Sequence, residues 1–465
     1  MSQQPNILWY CTDQQRFDTI GALGNPHVRT PVMDNLVDKG VAFTHTYCQS
    51  PICTPSRSSF MSGLYPSRVH NTRNGNDSFP NWPPVITKLI ANAGYTCGLV
   101  GKFHLQSSGK RTEPRIDDGF SYWKFSHAPR DDWEKGHDYA EWVRSQGGDL
   151  ETLRESDDRV PAELHQTTWA SERSIEFIRQ KHDRPWLLNV NIYDPHPPFT
   201  PPRAYAEQFN PESMPGPHFK ESDLEAQSQL SECDFQDEIR TPFEHDAKGA
   251  QARYYAMIAQ IDDQFARILS VLDETGQRDN TVIIFTSDHG EALGDHGLMY
   301  KGCRFYEGLV RVPLIISWPK HFMQKMKSDA LVEMLDLSAT LLDLAGVDAP
   351  EYLQGTSLRA ILTGESDRHH HRRFVRSEYY DALDPYFTGG TGTFATMHRT
   401  RHYKLCVYHG KGVGELFDLE SDPWEHENLW NDAAHADKKC QLLAESFDAH
   451  VLLTTDMGSK RIAPM

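Results

Sequence analysis

At 465 residues, with 38% hydrophobic residues, the chain is long enough for one large α/β domain plus a smaller one. Its formal net charge of −18 excludes a general nucleic-acid binder, since phosphate neutralisation needs a basic surface, although a local basic pocket can still hold one small anion. No apolar run approaches the ~18 residues that span a bilayer, so no membrane partner is expected.

The first ten residues pass directly into a strand-like run over 6–10, with no charged and apolar leader, and cytoplasmic residence is the expectation. A helix follows over 31–39, with Thr30 as cap, Pro31 at its first position and Gly40 as stop. The pattern repeats over 84–93, stopped by Gly94, before a strand over 95–100. A helix over 164–181 precedes a strand over 186–193. The longest helical signal covers 250–274, where Tyr254, Ile258, Ile261, Phe265, Ile268 and Leu272 recur at helical spacing; Gly276 ends it and a strand over 281–286 follows. A strand over 312–317 and a helix over 332–345 complete the alternation. Such alternation predicts a large, mostly parallel sheet flanked by helices.

The character changes at the His/Arg run 369–373, which sets domain bounds of 1–368 and 369–465. Short strands between Gly-rich turns over 374–419, then a terminal helix, predict a smaller antiparallel-sheet domain. Two polar, aromatic-rich stretches, 105–160 and 203–244, read as lid or specificity insertions. The eight cysteines (11, 48, 53, 97, 233, 303, 406, 440) contain no CxxC pair and read mostly as reduced core thiols.

The sharpest local feature is Cys53-Thr54-Pro55-Ser56-Arg57. A cysteine before a proline is commonplace, and a buried inert thiol is the default. Here Ser50-Pro51-Ile52 precedes it and an apolar-small helical run over 58–64 follows, placing residue 53 just ahead of a helix amino terminus, where free N–H groups favour an anion. Other polar clusters follow predicted strands: Asp13-Gln14, Lys102-Phe103-His104, Asp194-Pro195-His196-Pro197 and Asp288-His289. Each alone is ordinary loop polarity, yet strand carboxyl ends are where an open α/β sheet binds its ligand. Asp13, Gln14, Asp288 and His289 together offer three oxygens and one nitrogen to a divalent cation. A histidine between prolines is held rigidly, which suits a group aimed at a leaving atom.

Taken together, these segments resemble the sulfatase family of the alkaline phosphatase superfamily. Its activation motif, Cys-x-Pro-x-Arg, is followed by a Gly-Leu-Tyr-Pro-like segment, here Gly63-Leu64-Tyr65-Pro66, and further segments match in the family's order over nearly the whole chain. The resemblance implies an alkaline-phosphatase-like fold and hydrolysis of sulfate monoesters. It implies that a formylglycine-generating maturation enzyme oxidises Cys53 to formylglycine, whose hydrate supplies the nucleophile and joins Asp13, Gln14, Asp288 and His289 on one divalent metal ion. Arg57, Lys102 and Lys301 would clamp the sulfuryl oxygens, with Asp288 assisting the nucleophile. His196 with Lys301 would protonate the leaving oxygen, and His104 would release sulfate by breaking the hemiacetal. Many sulfatases have Asp-Asp and Asp-Asn at the metal positions and hold calcium. Gln14 and His289 depart from that, and an imidazole suits manganese or another transition metal better; Ca²⁺ is the expected ion, with Mn²⁺ or Mg²⁺ as the alternatives. Glu291, Asp295 and His296 read as supporting residues.

A phosphonate monoester or phosphodiester hydrolase is the nearest rival, sharing formylglycine and the Asp-Gln/Asp-His set, but in that pattern Lys102 and His104 tend to be replaced by uncharged residues. An inactive sulfated-glycan binding protein is the rival of another class, opposed by the retained Cys53, Pro55, Arg57 and metal positions. The expected substrate is a small sulfated sugar or aryl sulfate. Phe120, Tyr122, Trp123, Phe125 and Trp133 either stack on it or pack their insertion onto the domain; His70, Arg73, Asn74 and Asn76 are candidates to reach it. Oligomeric state stays open, and the tail at Met457, Ile462 and Met465 is apolar enough to dock.

Overall fold

A computed structural model of the chain describes residues 4–108, 112–131, 135–156, 159–383 and 392–455. The large sheet contains β1 (Asn6–Thr12), β2 (Val41–Tyr47), β3 (Thr96–Gly101), β4 (Phe120–Phe125), β5 (Trp186–Asn191), β6 (Thr281–Ser287), β7 (Arg311–Ser317) and β8 (Met326–Glu333), in the order β4-β3-β5-β1-β6-β7-β2-β8. All neighbours pair in parallel except β7, which runs antiparallel to both β6 and β2.

The central strands are apolar because both faces are covered. In β1, Ile7, Trp9 and Cys11 join the core shared with the helices Cys53–Ser62, Ile86–Asn92 and Asp336–Leu344. Leu8 and Tyr10 face the opposite way, into the core under the helices Gln166–Arg179 and Ala247–Glu274. The two-residue side-chain period of a strand thus turns one apolar run into two cores.

The second sheet, β12-β11-β10-β9, is antiparallel, built from β9 (Val375–Tyr380), β10 (Phe394–Arg399), β11 (Tyr403–Tyr408) and β12 (Val413–Asp418). Tyr379, Met397, Cys406 and Phe417 enter the same core as β1, while Leu405 and Leu416 meet Leu442 of the terminal helix Ala436–Ala449. The fold is therefore α/β, with a large mostly parallel sheet and a separate antiparallel sheet. All eight cysteines are free; seven are buried and Cys440 is exposed. No helix among the described residues is long and apolar enough to cross a membrane.

Several expectations need correction. Thr30 occupies the N-cap of the helix Pro31–Asp38 but makes no side-chain cap bond; its hydroxyl donates to Asp34 Oδ1 at 3.1 Å and accepts from the Gly21 N–H. Gly40 follows the helix because β7 lies against it: a Cβ there would sit 2.5 Å from the Ile316 carbonyl oxygen. The helix predicted over 332–345 begins only at Asp336, since residues 332–333 finish β8. The helix predicted over 58–64 starts earlier, at Cys53 itself. Within the insertion 105–160, Phe120–Phe125 forms edge strand β4, where Tyr122 packs on Phe177 at 5.2 Å and Phe103 on Trp123 at 5.6 Å, so these aromatics fasten the segment to the domain. Trp133, Met457, Ile462 and Met465 lie outside the described residues.

Candidate active site

Four adjacent parallel strands, β3-β5-β1-β6, end on one side of the sheet, and each delivers a predicted site segment there: Lys102 and His104, His196, Asp13 and Gln14, Asp288 and His289. Gly101 at the end of β3 has φ +99, and a Cβ there would lie 1.9 Å from the Asn191 carbonyl, so only glycine lets Lys102 turn over β5. The helix Cys53–Ser62 aims its first residue at the same point; Asn74 Oδ1 accepts the Thr54 N–H at 2.9 Å, supplying the cap that Ile52 lacks.

Cys53 Sγ, Asp13, Asp288 and His289 offer ligand atoms that all lie within 4.8 Å of one another, every residue buried. The imidazole of His289 hydrogen-bonds the Gly290 carbonyl through Nδ1 at 2.8 Å, which directs Nε2 at Cys53 Sγ, 3.1 Å away. Gln14, at φ 69, is fixed from both sides: the Tyr254 hydroxyl donates to its carbonyl at 2.6 Å, and its Nε2 donates to Glu291. That leaves Oε1 directed inward, where it accepts from Lys301 Nζ at 2.8 Å. Two buried carboxylates, an oriented imidazole and an oriented amide oxygen form a donor set that fits one divalent cation.

The positive charges divide into two kinds. Arg57 donates Nε to Asp288 Oδ2 at 2.8 Å and Nη1 to the Lys102 carbonyl at 3.1 Å and Asn191 Oδ1 at 3.3 Å. Its Nη2 stands 3.7 Å from Asp13 Oδ2 without a hydrogen bond. The guanidinium therefore faces both carboxylates, which are buried and need a counter-charge. Lys102 Nζ also pairs with Asp13. Burial and the Cys53 charge work against ionisation of Asp13, yet Lys102, His196 and Arg57 hold its pKa down at about 2. Lys301 differs: its ammonium contacts Cys53 Sγ at 2.9 Å and His196 Nε2 at 3.1 Å, and among the described residues it has no carboxylate within 4.0 Å. Burial opposes ionisation of Cys53 also, but Lys102, Lys301 and His289 overcome it and hold the thiol well below its ordinary value.

The half-buried His196 hydrogen-bonds the Pro197 carbonyl through Nδ1 at 2.6 Å, so the Lys301 ammonium donates to its free Nε2. Burial and the neighbouring Lys102 push the His104 pKa down to about 4, leaving a neutral imidazole whose buried Nδ1 has no hydrogen-bond partner. Sequence reasoning missed what holds this histidine: Glu113 accepts the N–H groups of His104, Leu105 and Gln106 at 2.6, 2.6 and 2.9 Å. Asn191 was missed as well, although a polar residue ending the buried run of β5 was a usable signal.

Of the candidates in the segment after the helix Cys53–Ser62, Asn74 contacts that helix directly. Arg73 pairs with Asp381 and donates Nε to its carbonyl at 2.8 Å, and Asn76 bonds the buried Asn71. Asn74 caps the helix as above, and His70 is an exposed, left-handed residue at the end of the helix Pro66–Val69. Glu291 orients Gln14, while Asp295 binds Arg16 at 2.7 Å and His296 stacks on Tyr306 at 3.8 Å.

The sulfatase family model matches residues 5–347, and the model of the N-sulphoglucosamine sulphohydrolase C-terminal region matches residues 294–449. An arylsulfatase of Clostridium perfringens is 28% identical over 463 residues, covering 94% of this chain and 92% of that protein. A multifunctional alkaline phosphatase superfamily protein of Trinickia caryophylli is 29% identical over 491 residues, covering 93% and 92%. The crystal structure of a phosphonate monoester hydrolase of Agrobacterium radiobacter superposes with a TM-score of 0.82 at 25% identity, covering 96% of each chain. With the sulfatase model matching well over half of its length, and the motif residues gathered at one end of the sheet, the chain belongs to the sulfatase family of sulfuric ester hydrolases.

Proposed function

We propose that the chain hydrolyses sulfate monoesters of a small sugar or aryl alcohol, with formylglycine made from Cys53 as nucleophile. The observation that carries this is the convergence of Lys102, His104, His196 and the four metal-ligand candidates, after the ends of four adjacent strands, on Cys53 at a helix start and Lys301 in a loop. The Cys53 sulfur stands where the formylglycine oxygens would be. Asp13, Gln14, Asp288 and His289 would hold a divalent cation, whose charge would make a hydroxyl at position 53 more acidic and would polarise a sulfuryl oxygen. Calcium, manganese and magnesium are all admissible there, and the imidazole favours manganese.

The chain's own groups perform the rest. Arg57 holds Asp288 in place and, with Asp13 beside it, supplies a counter-charge to both buried carboxylates. Lys102, paired with Asp13, and Lys301, in contact with residue 53, present ammonium groups that stabilise charge on the sulfuryl oxygens. Lys301 and His196 form a hydrogen-bonded pair that hands a proton to the departing alcohol. The neutral His104 takes a proton at residue 53 to release sulfate, which suits its lowered pKa.

A second reading, phosphonate monoester hydrolysis, is favoured by the structural likeness to the Agrobacterium radiobacter enzyme and by Gln14 and His289. The test begins with protein co-expressed with a formylglycine-generating enzyme, in which the mass of the peptide containing residue 53 establishes the aldehyde. Turnover of 4-nitrophenyl sulfate is then compared with that of a 4-nitrophenyl phosphonate monoester. A higher kcat/KM on the sulfate is expected. The reverse order would establish the second reading, and no turnover of either by aldehyde-bearing, metal-loaded protein would leave the inactive glycan-binding reading in place.

A further inference from the structure

Away from residue 53, Asp223, His296 and His426 form a second cluster with ligand atoms all within 4.8 Å of one another. They come from three separate parts of the chain. Asp223 lies in the helix Glu221–Ser228 of the second insertion, and His296 in the short turn Asp295–Gly297 between His289 and Lys301. His426 lies beyond β12. The side chains are 2%, 4% and 10% exposed.

His296 Nδ1 lies 3.5 Å from Asp223 Oδ1, and His426 Nδ1 lies 3.1 Å from each Asp223 oxygen. A charge-assisted hydrogen bond spans about 2.7–2.9 Å, so both separations are long for imidazolium–carboxylate pairs. They bracket the edge of a tetrahedron around a metal bonded at ~2.1 Å, which is about 3.4 Å. Each group is also preset. Asp223 Oδ2 accepts the Lys220 N–H at 2.7 Å, and His296 is held at φ 55 with its ring stacked on Tyr306. Tyr306 in turn accepts from Gln227 at 2.6 Å and donates to Glu415 at 2.8 Å. No Lys or Arg approaches Asp223 within 4.0 Å among the described residues; its charge is faced by two imidazoles.

We propose that Asp223, His296 and His426 bind a zinc-like transition-metal ion, distinct from the cation at residue 53. Two imidazole nitrogens and one carboxylate oxygen select such an ion over calcium, whose sites are built from oxygens. The fourth position takes water, and the partial exposure of His426 gives a way in. The ion ties the second insertion and the C-terminal region to the loop that carries both His289 and Lys301, so it is a clamp on the catalytic loop.

The test is metal stoichiometry on full-length, formylglycine-bearing protein, stripped with chelator, reloaded with Zn²⁺ alone, desalted and measured by mass spectrometry. Two equivalents are expected for the natural sequence and one for Asp13→Asn/Asp288→Asn, which retains only the clamp. One is also expected for His296→Asn/His426→Gln. Two equivalents in that last protein, or none in Asp13→Asn/Asp288→Asn, would overturn the proposal. Should either variant fail to fold, crystals of the unsubstituted protein soaked in Co²⁺ decide the matter. An anomalous peak between Asp223, His296 and His426 supports the clamp, and its absence while the residue 53 site is filled refutes it.

Discussion

Two buried clusters of charge lie in this molecule, and burial alone does not tell them apart. Where the sheets meet, Lys404 donates to the Phe305 carbonyl at 2.8 Å and lies 2.8 Å from Glu307 and 2.6 Å from Glu425. Glu307 is further met by the Tyr47 hydroxyl at 2.9 Å and by Arg311 at 3.2 Å. Lys404, Arg399 and Arg311 hold the Glu307 carboxyl far below its usual range against its burial, while burial pushes the Glu425 carboxyl up to about 7. Every charge there has an opposite charge within 4.0 Å, so nothing need be added. At residue 53, by contrast, the Lys301 ammonium touches an amide oxygen, a sulfur and imidazoles, with no carboxylate within 4.0 Å among the described residues. Unsaturated charge in a buried place marks a site, and saturated charge marks a joint.

The largest expected effect separates the two directly. Lys404→Met removes one partner of a buried network and should cost about 3–5 kcal/mol of stability, because Glu307 and Glu425 lose their shared counter-charge. A urea titration measures this. The kcat/KM of the molecules that remain folded should be unchanged, and a fall in it would make the joint part of the site.

Lys102→Ala should do the opposite. If the ammonium stabilises the sulfuryl oxygens in the transition state, kcat/KM on an aryl sulfate should drop about 10²–10³-fold. The urea midpoint should move less than in Lys404→Met, since Asp13 retains Arg57 and the bound cation. Equal losses of stability in the two proteins would erase the contrast.

A third buried group tests whether partners or burial set the behaviour. His398 is fully buried, 3.7 Å from Glu445, and burial pushes its pKa down to about 4 despite that carboxylate. Its folded pKa lies below the unfolded value near 6.5, so the unfolded chain binds the extra proton first. Stability should therefore rise with pH between about 4 and 6.5 and be fully present above 6.5. The group's share is on the order of 3 kcal/mol. His398→Phe should flatten that part of the stability–pH curve, and an unaltered slope would assign it to other groups.

Much of the site was legible because its residues sit beside strand ends. Asp13, Lys102, His196 and Asp288 each follow an apolar run, and the topology that makes β3, β5, β1 and β6 neighbours brings them together. What stayed hidden depends on contacts between distant segments. Glu113 is a lone acid in a weakly periodic stretch, and only the folded loop turns three N–H groups toward it. Asn74 caps a helix twenty residues earlier, and Arg57 faces Asp288 across the sheet's end. Strand β8 was not anticipated, and its last two residues, 332–333, were read into the helix after it; the strand exists through its pairing with β2.

The smallest effect concerns a residue that touches a metal candidate without being one. Glu291 accepts from Gln14 Nε2, from the Tyr300 N–H and, at 3.1 Å, from the Leu293 N–H. These bonds leave the Gln14 amide only one orientation, nitrogen toward Glu291 and oxygen toward the site. Glutamine at 291 can present its own N–H₂ to that amide, and the Gln14 side chain is then free to turn its nitrogen inward, where a cation repels it. Glu291→Gln should therefore weaken divalent-cation binding about 10–100-fold, as loss of a partner behind a metal ligand generally does. Titration of metal-stripped protein with Mn²⁺ measures this. Reduced affinity with an unchanged urea midpoint places Glu291 with the unsaturated cluster, whereas a lowered midpoint with unchanged affinity makes it a joint residue like Glu307.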